Sequence, residues 1–179
     1  MLALAHMGIG SAMVRTLKPS PKVSYLFVGT LLPDLIDKPL FWSLNWLRVH
    51  HFFYFNFTSW IPGTRTFAHT FLFFLILLIF SVKFKKSNLN VLSWGVFSHL
   101  LLDALEGILA GKNHFITFMK GALFPIFEFK FYSFPHHGIR DHLLSKLSTT
   151  TLIFEFLGFL ILLKLFFDAR TKRLKCKNS

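Results

Sequence analysis

Three long uncharged stretches decide what this chain can become. Thr66 to Val82 carries no Lys, Arg, Asp or Glu in seventeen consecutive positions, Asn88 to Leu102 carries none in fifteen, and Leu147 to Leu163 carries only Glu155. A helix needs about 17–25 mostly apolar residues to cross the hydrocarbon layer of a bilayer. Two of the stretches reach that length, and the third reaches it if Asp103 is tolerated. Only 16% of the residues are charged, against ~25% in a typical soluble domain. The expected fold class is therefore all-α: a polytopic transmembrane helical bundle of about four to five segments. Residues 1–169 are expected to be membrane-embedded and 170–179 to form a basic tail. A chain of 179 residues leaves no room for a separate soluble domain.

The net charge of +12 raises nucleic acid as a partner. The basic residues, however, sit beside the apolar runs, where they hold helix ends at the anionic cytoplasmic leaflet. Direct nucleic acid binding is therefore not expected, and membrane lipids are the expected surroundings. The single cysteine, Cys176, excludes an internal disulfide and a Cys-rich metal site. The N-terminus is apolar but lacks the positive start of a signal peptide, so it is expected to stay attached as a short helix.

Five helical segments are predicted. The first is Leu2 to Val14, ended by the Lys18–Lys22 stretch with its two prolines. The second is Val23 to Leu32, stopping near Pro33, because proline ends helices and restricts the residue before it. A polar and aromatic loop, Asp34 to Arg65, is predicted next. Within it an interfacial helix around Phe41 to His51 is marked by Trp42 and Trp46, with Tyr54 and Trp60 following. The third segment is Thr66 to Val82, the fourth Leu89 to Ala110 bounded by Gly111, and the last Leu147 to Phe167. A loop is predicted over Lys112 to Lys146. The dense basic sets are Arg15, Lys18 and Lys22; Lys83, Lys85 and Lys86; and Arg170, Lys172, Arg173, Lys175 and Lys177. Placing all three in the cytoplasm puts the N-terminus outside and the C-terminus inside.

Ionisable residues within apolar segments are costly and mark either function or a paired partner. His6, Asp34, Asp37, His69, His99 and Asp103 are of this kind, and the orientation derived from Lys and Arg alone gathers all six toward the outer side. His99 and Asp103 are four apart and share a helix face, with Gly95 one turn earlier leaving room beside them. Imidazole nitrogen and carboxylate oxygen are ligands of zinc, manganese and iron, so one or two such ions are expected. A bound ion would offset the burial cost of the carboxylates and lower the pKa of a bound water. Alternatives stand beside this reading. His99 with Asp103 also suits a structural pair, Pro33-Asp34 a helix stop, and Asp37 with Lys38 a solvated ion pair. Arg65, four residues before His69, suits either an interfacial anchor or a phosphate-neutralising guanidinium. His136 and His137 are open between ligand, proton donor and loop residue. His50, His51, His114 and His142 are assigned to loops or the interface.

Leu31-Leu32-Pro33-Asp34-Leu35-Ile36-Asp37, Arg65-Thr66-Phe67-Ala68-His69-Thr70 and Gly95-Val96-Phe97-Ser98-His99-Leu100-Leu101-Leu102-Asp103 follow an early His6 in order. This series resembles the membrane-bound metal-dependent hydrolases, also described as LexA-binding inner-membrane proteins and distantly similar to zinc-dependent phospholipase C. The resemblance implies a multi-pass protein of a bacterial or archaeal cytoplasmic membrane. It implies a metal, zinc foremost with manganese or iron as alternatives, held by His6, Asp34, His69, His99 and Asp103. Asp37 would be a bridging ligand or general base, and Arg65 would steady developing charge. The two aspartates stand three apart, where many members have two, and no His-x3-Glu pair is present, so one or two ions are implied rather than three. The implied reaction is hydrolysis of an ester, foremost a phosphoester on a lipid or lipid-linked substrate. One rival is a non-catalytic protein that binds metal structurally or tethers a regulator such as LexA. A second is a transporter, against which the apolar inner halves of the third and last segments argue, Lys164 apart.

Overall fold

The structure is a computed structural model that describes residues 3–17, 22–49, 63–127, 129, 131 and 148–177. Among these the fold is all-α, as the uncharged runs predict. The helices are α1 (Ala3–Leu17), α2 (Val23–Val49), α3 (Phe71–Lys83), α4 (Ser87–Ala110), α5 (Lys112–Ala122) and α6 (Thr149–Lys177), with a short 3-10 turn at Phe67–His69 before α3.

The centre of the fold is α4. It packs against α1, α2, α3 and α5, while α6 packs chiefly against α1. Small residues let the backbones approach, the usual device where helices meet in an apolar medium. At the α2–α4 crossing Gly29 faces Gly95, and a Cβ added at Gly95 would lie 2.7 Å from the Gly29 carbonyl carbon and 2.8 Å from the Thr30 nitrogen. At the α1–α6 crossing Gly8 faces Gly158, where an added Cβ would strike backbone. Three apolar clusters fill the spaces between: Ala5 with Leu102, Val14 with Leu26 and Val91, and Phe74 with Val96 and Leu100.

Two of the helices, α4 and α6, are long and apolar enough to cross a membrane. The run from Thr66 to Val82 becomes a helix of only 13 residues, about 20 Å at 1.5 Å per residue, short of the ~30 Å hydrocarbon layer. Its first residues are used otherwise. Thr70 caps α3, its hydroxyl accepting from the Phe73 N–H at 3.1 Å, and residues 66–69 turn back over α2.

Other boundaries differ from the sequence reading, each for a local reason. Where a stop is predicted at Pro33, α2 runs on through Pro33 and Pro39. Proline removes one N–H and displaces the carbonyl four residues earlier, and in membrane helices neighbouring groups make good the loss. The carbonyls so displaced are those of Gly29 and Leu35; beside them the Thr30 carbonyl accepts from His99 Nδ1 at 2.7 Å, and the Ser43 hydroxyl donates to the Pro39 carbonyl at 2.6 Å. The predicted interfacial helix is thus the end of α2, while Tyr54 and Trp60 lie outside the described residues. The predicted loop after Gly111 begins instead with α5. Gly111, at φ 112°, makes the turn between α4 and α5 in a conformation that glycine adopts without a Cβ clash. Helix α6 runs on through the basic residues to Lys177.

Candidate metal centre

The six predicted polar residues converge. His6 comes from α1, Asp34 and Asp37 from α2, His69 from the 3-10 turn, and His99 and Asp103 from consecutive turns of α4. All but Asp34 are at most 3% exposed. The proline-bearing helix makes this convergence possible. Because α2 does not stop at Pro33, Asp34 and Asp37 stay on a rigid element that Gly29 holds tight against α4.

Asp37 organises the turn. Its carboxylate accepts from the backbone N–H groups of Thr66 at 2.6 Å, Ala68 at 3.2 Å and His69 at 3.2 Å, and from His69 Nδ1 at 2.7 Å. Buried N–H groups need partners, and these four donors fix both the turn and the imidazole it carries. The alternative pairing of Asp37 with Lys38 is not what forms. Lys38 reaches back one turn to Asp34 Oδ2 at 2.6 Å, as i,i+4 spacing on a helix directs, and Asp37 is fully buried.

The histidine hydrogen bonds identify which nitrogens face the centre. A carbonyl has no proton to give, so His99 Nδ1 donates to the Thr30 carbonyl at 2.7 Å, and neutral His99 keeps its lone pair on Nε2. Likewise neutral His69, donating from Nδ1 to Asp37, keeps its lone pair on Nε2. These two Nε2 atoms stand 3.2 Å apart. Asp103 Oδ2 completes a triangle, 3.6 Å from His99 Nε2 and 3.7 Å from His69 Nε2. This oxygen is buried and has no hydrogen-bond partner among the described residues. Asp34 Oδ1 lies 3.4 Å from His69 Nε2. On the other side His6 Nε2 is 3.4 Å from Asp103 Oδ1, and the His6 and His99 rings are 4.0 Å apart, centroid to centroid.

Lone pairs aimed at one another across 3.2 Å repel unless a cation lies between them. A shared proton would serve two nitrogens, but it would leave Asp103 Oδ2 orphaned. An ion with several ligands serves all of them. Two ligands of a tetrahedral zinc, with bonds of about 2.0–2.1 Å, stand about 3.3–3.4 Å apart, close to the separations found here. Two ligand groups can accordingly hold a metal ion, His6 with His99 and Asp103, and Asp34 with His69 and His99.

Polar, partly exposed side chains border this centre. Arg65 Nη2 donates to Asp103 Oδ1 and to Glu106 Oε2, both at 2.8 Å. Burial works against the guanidinium charge, but the two carboxylates hold Arg65 well above its ordinary range. Arg65 is thus neither a lone anchor nor remote from the centre, but is tied directly to Asp103. Glu106 is not among the residues the sequence singles out, although its place three residues after Asp103, on the same face of α4, is the available signal. The Thr30 carbonyl carries no sequence signal. His114 is exposed on α5, outside both ligand groups, while His50, His51, His136, His137 and His142 lie outside the described residues.

Comparison with curated proteins and with solved structures gives no match. A family model does match, and it covers all the residues that build the centre and every helix except the end of α6. From residue 1 to 169 the match is continuous, and the chain belongs to the YdjM inner membrane protein family.

Proposed function

We propose that this chain is a metal-dependent hydrolase of the cytoplasmic membrane acting on a phosphoester, or another ester, of a lipid or lipid-linked substrate. The observation that carries the reading is the triangle of His69 Nε2, His99 Nε2 and the unpartnered Asp103 Oδ2, with both Nδ1 atoms already committed elsewhere. That second hydrogen bond on each imidazole is the arrangement by which proteins fix the tautomer and aim of a metal-binding histidine. His6, Asp34, His69, His99 and Asp103 hold the ion. Both ligand groups share His99, which has a single nitrogen to offer, so we assign one ion per chain. Zinc suits the nitrogen and oxygen donors, and manganese or iron suits them next.

A divalent ion bound there supplies Lewis acidity and activates water near neutral pH. The chain's own residues do the rest. Asp37 holds His69 in place, with its oxygens occupied by four donors, which favours an orienting role over that of bridging ligand or base. Arg65 stands at the border beside the ligands, where a guanidinium can steady the charge that develops on a phosphoryl group. Lys38 pairs with Asp34 at the edge of the centre. In the bilayer α4 and α6 span and the other helices complete a multi-pass bundle. The C-terminus lies in the cytoplasm and the centre lies toward the outer face. Cys176, the lone thiol, tests this orientation. A membrane-impermeant maleimide should label it in inverted vesicles and not in intact cells, and the reverse pattern would move the chemistry to the cytoplasmic side.

The deciding experiment is metal content by mass spectrometry on detergent-purified protein, wild type beside His99→Ala and Asp103→Asn. One equivalent of metal in the wild type, lost in both variants, is expected. Metal absent from all three after zinc, manganese and iron have each been supplied would reject the centre. A second reading, a structural ion in a non-catalytic membrane protein, is favoured by the near-complete burial of four of the five ligands and by the neutralisation of Arg65. It predicts the same metal content but no release of phosphate or headgroup from any phosphoester lipid, and it leaves tethering of a regulator as the function.

A further inference from the structure

Glu155 is the one acidic residue in an otherwise uncharged stretch of α6, and the metal centre does not include it. Its two carboxyl oxygens accept from the first turn of α1, from the Leu4 N–H at 3.0 Å and the Ala5 N–H at 3.3 Å. The first N–H groups of a helix have no partner within it, and in an apolar medium each unsatisfied group costs several kcal/mol. A carboxyl group placed there satisfies two of them and complements the positive end of the helix dipole.

One turn further along α6, Gly158 allows the closest backbone approach to the same helix. A Cβ added to Gly158 would lie 2.7 Å from the Ala5 Cα. The opposite side of α1 meets α4, where a Cβ at Gly10 would lie 2.9 Å from the Ser98 hydroxyl, and Ala5 packs on Leu102 with Phe154 of α6 beside it. Helix α1 is therefore a short rod clamped between α6 and α4. His6 follows directly on Ala5, whose N–H Glu155 holds, and points to the α4 side, against His99 and Asp103.

The geometry points to Glu155 as a positioning residue for the metal centre: by holding the first turn of α1 it sets the height of that helix along α4, and so delivers His6 to Asp103. Glycine contacts make a smooth track that resists sliding weakly, while two directional hydrogen bonds fix the register. A slip of one turn would carry His6 about 5.4 Å along the axis, out of reach of Asp103. This inference rests on His6 belonging to the metal centre, and its test separates the two.

The test measures zinc affinity of the detergent-purified full chain carrying Glu155→Leu or Glu155→Gln, each with His6 intact and with His6→Ala. With His6 intact, Glu155→Leu is expected to weaken binding ~10–100-fold, the usual scale for a residue that orients a ligand. Glu155→Gln, which keeps an acceptor oxygen, should recover most of that loss. In the His6→Ala background Glu155→Leu should cause no further loss. An unchanged affinity in Glu155→Leu, or an equal loss whether or not His6 is present, would overturn the proposal, since general loosening of the bundle acts regardless of His6. A readout independent of metal is disulfide formation between Gly10→Cys and Ser98→Cys in a Cys176→Ser chain. The cross-link should form with Glu155 present and fall sharply with Glu155→Leu. Equal cross-linking in both would show that Glu155 does not set the register, even if the chain binds no metal at all.

Discussion

Asp37 and Asp103 are the same residue type, are equally buried, and lie within one bundle, yet their surroundings differ in kind. Around Asp37 every contact is closed: three backbone N–H groups and one imidazole N–H converge on its two oxygens. Around Asp103 one oxygen takes Arg65 and lies against His6, while the other is buried with no hydrogen-bond donor among the described residues and faces two imidazole nitrogens. A buried polar atom without a partner costs about 1–3 kcal/mol, a cost that a bound ion would offset at Asp103. The contrast separates a carboxylate that builds the fold from one that could serve a ligand.

The sharpest way to break this contrast is to remove Asp37. Asp37→Ala strands four buried donors at once and releases the 66–69 turn that carries His69. Breaking a buried charged network from one side costs ~3–5 kcal/mol, a large fraction of the stability of a small domain. The expected outcome is loss of the monodisperse folded protein in detergent, or a strongly lowered Tm, together with loss of bound metal. If Asp37→Ala stays folded and loses only metal, Asp37 belongs with the ligands and the distinction fails.

Asp103→Asn should give the complementary result. The amide keeps the volume and one acceptor for Arg65, so the apoprotein is expected to purify and melt much as the wild-type apoprotein does. Metal content should fall from one equivalent to near zero. In wild type, acidification should also strip the metal, because protons compete for imidazole and carboxylate ligands. The direction is fixed: loading is complete at neutral pH and is lost as pH falls. An Asp103→Asn chain that fails to fold would make Asp103 structural and leave the histidine pair as a shared-proton site.

How much of this is legible in the sequence follows the same division. The ligands can be read because burying a histidine or an aspartate in an apolar run is conspicuous, and because i,i+4 spacing fixes which pair shares a face. The turn over Asp37 cannot be read. Thr66 to His69 begins an uncharged run that continues without a break into α3, and only backbone N–H groups captured from 29 residues away keep it out of that helix. Pro33 misleads for a related reason: its local effect is to end a helix, while the contact that holds α2 against α4 beside it, Gly29 on Gly95, joins residues far apart in the chain. Glu106 and Glu155 were visible as isolated charges, but their partners are an arginine in a loop and the first turn of another helix. Neither pairing has a sequence period.

The Gly29–Gly95 contact joins the two regions and offers a graded test. Gly95→Ala places a Cβ 2.7 Å from backbone of α2, and α2 carries both Asp34 and Asp37. Overpacking of this kind costs ~1–3 kcal/mol, so a moderate drop in Tm is expected. Thr30 lies next to the contact, and its carbonyl aims His99. Metal affinity should therefore fall more than the change in stability alone would produce. Equal affinity in a destabilised Gly95→Ala chain would mean that the centre tolerates separation of α2 from α4, and the ligand set would then have to be drawn from α4 and the 3-10 turn.

Asp34 extends the comparison to an intermediate case. One of its oxygens is held by Lys38, and the other faces His69 Nε2, so it combines the closed arrangement of Asp37 with the open one of Asp103. The Lys38 side chain is about one third exposed, and a partly exposed i,i+4 ion pair contributes less than ~1 kcal/mol. Lys38→Ala is therefore expected to leave Tm nearly unchanged and to alter zinc affinity by no more than a few-fold. The sign of that small change is informative. Weaker binding would show that Lys38 acts by aiming the free oxygen of Asp34. Tighter binding would show that its positive charge repels the ion, so that Lys38 serves the approach of an anionic headgroup rather than the hold on the metal. A large loss, comparable to that of Asp103→Asn, would place Lys38 inside the network that builds the centre and would remove the distinction between its edge and its floor.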